Sequence, residues 1–161
     1  MNPAYNEFAL KPASATMAIL LGGLVAGTMD IVAAFIQHGL KGISPIRILQ
    51  SVASGLLGRE SYNGGLKAAL LGLLCHFVIA LGATATYYAL SRIAPVLITQ
   101  AVIGGSLFGV AVYFFMNLVV LPLSAFPGKI TFPLGALVIG LLIHIFCVGL
   151  PIALIIRHYS R

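Results

Sequence analysis

Asp30 is the one acid inside a long apolar run of this 161-residue chain, and His76 and His144 each lie within another. Ionisable side chains at membrane depth are costly, so they are placed on inward faces and mark sites of ion, proton or ligand handling. Asp30 follows Gly23 by seven residues and shares a helical face with Gly23 and Gly27. His76 shares a face with Ala69, Gly72, Ala80 and Ala83. Small residues line both faces, so both groups should point into a helix-packing seam. At about 1.5 Å per residue, Asp30 and His76 come to roughly 10 to 15 Å inside the same membrane side. His144 should match that depth on a later run, and Asn117 should lie nearer the same interface. A carboxylate and an imidazole so placed could pass one proton between them, the imidazolium favouring the charge that hydrocarbon opposes. The structural alternative is a clasp in which Asp30 bonds a histidine or Thr28 and fixes helix register.

The histidine pair also suggests haem. Two helices that each present a histidine at similar depth, His76 and His144, each with a glycine four residues earlier, could hold a haem b by bis-imidazole ligation. Satisfied core histidines produced by repetition of a packing motif give the same spacing. Cys75 and Cys147 neighbour these histidines, but their spacing and depth do not suit a structural zinc site, so no metal site is expected. The chain has no Gly-x-Ser-x-Gly elbow, phosphate loop or His-Glu-x-x-His, and three acids cannot supply paired-carboxylate chemistry at several positions. These readings point away from an enzyme.

The elements that must position these groups follow from composition. Hydrophobic residues make up 60% of the chain, against nine Lys or Arg and three Asp or Glu. A soluble domain carries about a quarter charged residues, so this chain cannot cover a water-facing surface. The net charge of +6 does not indicate a nucleic-acid partner, because the basic residues sit between or at the edges of apolar runs, where they meet lipid headgroups. Four runs are long enough to cross about 30 Å of hydrocarbon: about Met17 to Gln37, Leu66 to Leu90, Val96 to Leu121 and Leu134 to Ile156. The alternation of a membrane barrel is missing, which predicts an all-α membrane protein, a single four-helix transmembrane bundle spanning residues 1–161. No convincing cleavage site accompanies the first run, so it reads as a retained helix. Ser44-Pro45 offers an N-cap and first helical position for a further helix over residues 45–57. Ile46, Leu49, Val52, Ala53, Leu56 and Leu57 fall on one face of it, and Arg47, Gln50, Ser51 and Ser54 on the other. It is expected to lie in the interface as a lid or a gate, with Arg47 and Gln50 reaching headgroups or capping backbone.

Four spans put both termini on one side. Lys11, Arg92, Arg157 and Arg161 fall on that side, and Lys41, Arg47, Arg59, Lys67 and Lys129 on the other. That near-balance leaves cytoplasmic termini favoured only by Arg92 and Arg157, which sit directly beside span ends.

An internal repeat is visible in the glycines. Gly22-Gly23-x-x-x-Gly27 in the first span recurs as Gly104-Gly105-x-x-x-Gly109 in the third, 82 residues on. Gly72 to His76 in the second matches Gly140 to His144 in the fourth, 68 residues on. Two spans return the chain to its starting side, so this is a two-span parallel repeat. Gly-x-x-x-Gly lets backbones approach closely, which makes Gly23, Gly27, Gly105, Gly109, Gly72 and Gly140 helix-packing positions, within one chain or between copies.

Three stretches, residues 45–50 with 53–58, residues 116–124 and residues 148–153, resemble a family of small bacterial inner-membrane proteins of about this size. The resemblance implies four spans in a bacterial inner membrane and brings no activity, cofactor or catalytic residue with it. The resulting expectation is binding or transport of an unknown small solute at a proton-linked Asp30, His76, His144 and Asn117 site. Four spans enclose little, so a homo-oligomer goes with it. A haem-binding electron-transfer subunit and a structural or assembly partner without a site are the alternatives.

Overall fold

A computed structural model describes residues 12–160, with side chains from residue 15 onward; Lys11 and Arg161, counted in the charge balance, lie outside the described residues. The described residues form helices and connections with no strand. Four helices are long and apolar enough to cross a membrane, so the chain is a multi-pass membrane-type bundle. They are Pro12–Gly39, Gly65–Ile93, Ala101–Leu123 and Leu134–Tyr159. The third begins later than its hydropathy suggests. After Pro95 the chain makes one separate turn, Val96–Thr99, which ends at Gln100 with φ −108° and ψ 47°, so the continuous helix starts only at Ala101.

The expected short helix is Pro45–Leu57. Ser44 is its N-cap, the Ser44 hydroxyl accepting from the Arg47 N–H at 3.3 Å, with Pro45 in the first turn. Gly58, at φ +59°, ends it in a conformation only glycine adopts without strain. Its orientation differs from a plain amphipathic cover. Ile48, Gln50, Ala53 and Ser54 are buried, while Ile46, Leu56 and Leu57 are exposed. Part of the polar face is turned inward because its polar groups find backbone partners there. Gln50 Nε2 donates to the Gly65 carbonyl at 3.0 Å, and Ser54 Oγ donates to the Ser51 carbonyl at 2.7 Å. Arg47 stacks 4.0 Å over the Tyr62 ring and donates to the Tyr62 carbonyl at 3.2 Å. The exposed apolar residues are left for lipid.

The first span packs against both the second and the fourth, the third packs against the fourth, and the short helix packs on the second. The second and third spans meet least, through the edge-on Tyr87 and Phe108 rings with centroids 5.0 Å apart. A buried apolar cluster gathers Ala18, Tyr87, Ile98, Ala101, Ile152, Ala153 and Ile156 toward the end nearer the described termini and reaches Ala26 and Val148 at the cavity wall. There Tyr87 donates its hydroxyl to the Leu97 carbonyl at 2.9 Å, tying the second span to the single turn before the third. Outward-facing Leu20, Leu74, Val78 and Leu107 are exposed, as suits a lipid-facing surface.

Candidate functional site

The first and second spans meet where glycine removes the side chain. A Cβ on Gly23 would stand 2.9 Å from Leu81 Cα, and one on Gly27 would meet the Phe77 ring at 2.9 Å. The third and fourth spans meet the same way, with Gly105 against Gly149 and Ala153, and Gly109 against His144 and Ile145. Both Gly-x-x-x-Gly seams therefore lie within the chain. Gly72 does something else: the Leu49 carbonyl of the short helix crosses directly over it, so Gly72 seats the lid rather than another span. Gly140 faces the Tyr113 ring.

The close approach at Gly27 places a backbone carbonyl within reach of the second span, and His76 Nε2 lies 2.8 Å from the Gly27 oxygen. A carbonyl can only accept, so Nε2 carries the proton and donates, and in the neutral tautomer Nδ1 is the acceptor. His144 Nδ1 donates along its own helix to the Gly140 carbonyl at 2.9 Å, which leaves Nε2 as the acceptor. Its ring packs edge-on against Tyr113, with centroids 5.2 Å apart.

His144 also opens a π-helical stretch, His144–Gly149, and a second π-helical stretch, Met116–Val120, lies in the third span. Each is followed within two residues by a proline inside the helix, Pro151 and Pro122. Proline lacks the N–H that would reach back four residues and crowds the carbonyl there. Widening the preceding turn absorbs the defect without breaking the span, and such π turns are frequent at functional sites.

Asp30, His76 and His144, from three different spans, line one cavity of about 210 Å³. Ala26, Gly27, Val52, Ile79, Ala80, Ala83, Val112, Met116 and Val148 complete its wall. Counted from the span ends on the lid side, the three groups lie roughly 13 to 17 Å deep, near the midplane of about 30 Å of hydrocarbon. Val52 brings the short helix into the wall, and the Ala125 N–H donates to the Gly55 carbonyl at 2.9 Å, pinning that helix to the segment after the third span. The helix covers the cavity on that side.

Among the described residues Asp30 makes no hydrogen bond or ion pair through its carboxylate, with His76 or with any other group. The clasp between the spans is His76 to Gly27 instead. Any proton passing between Asp30 and His76 must cross the cavity, which is wide enough for several waters at about 30 Å³ each or for a small polar solute. Asn117 is not brought to this wall: its Nδ2 donates to the Tyr113 carbonyl at 2.9 Å within the third span. Arg47 and Gln50 serve the lid. Cys147, discounted with zinc, lies within electrostatic reach of Asp30, although no group of three or more His, Cys, Asp or Glu among the described residues could hold a metal ion.

Scanned against protein-family models, curated proteins and solved structures, the chain finds no match in any of the three.

Proposed function

We propose that this is a proton-linked small-solute binding or transport protein of a bacterial inner membrane, with its site at Asp30, His76 and His144. The observation that carries the reading is the convergence of these three groups, from three spans, on one cavity near the midplane, with Asp30 unbonded among the described residues. An acid whose only task was to fix helix register would have a partner, because an unpaired carboxylate in hydrocarbon costs several kcal/mol by order of magnitude. The lid formed by Pro45–Leu57 supplies a closure on the side where the three groups are shallowest.

The reading extends to an internal two-span repeat, supported by equivalent contacts: Gly23 on Leu81 and Gly27 on Phe77 recur as Gly105 on Gly149 and Gly109 on Ile145. It includes cytoplasmic termini, from the flanking Arg92 and Arg157, and assembly of copies. Catalysis is not part of it.

Proton movement into liposomes under an imposed gradient tests the proposal. Protein-containing vesicles should acidify faster than protein-free ones, and Asp30→Asn should remove the excess. A parent protein without flux, or a variant with undiminished flux, overturns it.

Haem between His76 and His144 is the second reading, favoured by their shared cavity and by the backbone carbonyl that orients each ring, as for ligating histidines. Against it, about 210 Å³ is below the usual range for organic ligand pockets. A Soret band lost in both His76→Ala and His144→Ala would decide for haem.

A further inference from the structure

A second, larger space of about 560 Å³ lies between the second and third spans, which meet toward the terminal end where the Tyr87 and Phe108 rings pack edge-on at 5.0 Å and stand apart beyond it. Ile79, Ala83, Val112 and Met116 line both this groove and the polar cavity, so the two adjoin and only these side chains stand between them. The first and fourth spans close the equivalent seam on the other side of the bundle. Gly82 borders the groove with nothing within 4 Å of where its Cβ would stand.

The two ends differ in chemistry. The remaining wall is apolar except for Thr86, whose hydroxyl is already given to the Gly82 carbonyl at 2.8 Å. That wall suits a hydrocarbon tail, which has no polar group to satisfy. In the adjoining cavity, beyond the shared Ile79, Ala83, Val112 and Met116, stand the Asp30 carboxylate, His76 Nδ1 and His144 Nε2, all hydrogen-bond acceptors when the rings are neutral. An anionic head would be repelled there, whereas a head with N–H or O–H groups is complementary. The groove opens at hydrocarbon depth, so its occupant arrives from lipid rather than from water.

We propose that the groove is the lateral entry and tail seat for a membrane-dissolved amphiphile, an apolar chain bearing an amine or hydroxyl head that reaches Asp30, His76 and His144. This rests on the reading of those three groups as a ligand site, and it names the ligand class and the route.

The test uses the full-length protein in liposomes with four hexadecyl probes, each carrying a mid-chain photoreactive diazirine. The probes end in an amine, a hydroxyl, a carboxylate or a plain methyl. The amine and hydroxyl probes should label peptides containing Gly82 and Phe108 about tenfold more than the other two, the scale of one lost polar contact. Asp30→Asn should cut amine labelling by a similar factor. Gly82→Phe and, independently, Ala111→Phe, both filling open groove, should abolish labelling. Equal labelling by all four probes means bulk lipid only, and labelling that falls as the protein-to-lipid ratio rises means that a second copy covers the groove; either result overturns the proposal, as does labelling that survives both Phe variants. Proton flux is read in the same vesicles. Flux with head-independent labelling sinks the amphiphile alone. Head-dependent, Asp30-sensitive labelling without flux sinks transport and leaves the amphiphile site standing.

Discussion

At the scale of single residues, the site separates two roles that the sequence leaves entangled. Spacing and face put Asp30 and His76 in one seam at one depth, and both do line one cavity. What spacing could not reveal is the partner of each, because a helical wheel fixes direction but not whether a backbone carbonyl comes within 2.8 Å of a ring nitrogen. His76 is the clasp, and Asp30 is not. The two therefore respond oppositely to substitution. Asp30→Leu removes an acid without a partner among the described residues from apolar surroundings, so thermal denaturation in detergent should show an unchanged or raised Tm while proton flux is lost, the trade expected of a functional polar residue. His76→Ala deletes the donor to Gly27 and should lower stability by about 1 kcal/mol or somewhat more. A destabilised Asp30→Leu would return Asp30 to a structural role. Asn117, equally prominent in the sequence, is spent on its own helix, since an asparagine within a span can satisfy its amide on the carbonyl four residues back.

At the scale of elements, the four spans and the short helix were legible because each rests on a strong local signal: long apolar runs, and the Ser44-Pro45 start with Gly58 at the end. The inward turn of Gln50 and Ser54 was not legible, because it depends on a carbonyl of another helix and on the bare surface at Gly72. Nor were the π turns, since Pro122 and Pro151 signal a defect in a span without saying how the helix absorbs it. The glycine seams allow a graded test. A methyl at Gly105 would lie 2.8 Å from the Gly149 carbonyl oxygen, a backbone atom that cannot swing aside, whereas at Gly82 it would meet nothing within 4 Å. Gly105→Ala should therefore cost about 1–3 kcal/mol by overpacking, with Gly82→Ala near neutral or slightly stabilising through helix propensity. Chemical denaturation of the two variants in matched detergent measures the difference. Equal stabilities would mean that the third and fourth spans do not meet at Gly105.

At the scale of the whole molecule, the spans run second, first, fourth and third around the bundle, and the last seam, between second and third, is closed toward the terminal end by Tyr87 and Phe108 and open beyond it. Its spans are unequally covered. In the most apolar window of the third span 11% is buried, against 28% in each of the others. The face of that span carrying Ile103, Leu107, Phe114 and Leu118 is exposed and borders the groove at Ala111 and Phe115, with Phe108 and Val112 turned further round the helix. A solute crossing a bundle this thin would run beside lipid along much of its path, and a second copy against the less covered span would shield it. The transport reading accordingly predicts at least a dimer in native mass spectra of protein released from mild detergent, with Leu107→Arg shifting it toward monomer. Leu107 is fully within the span, so a charge there would disfavour a seam between copies. A strictly monomeric parent that still moves protons would remove assembly from the mechanism and place the whole pathway between the lid, the midplane cavity and the lateral groove of one chain.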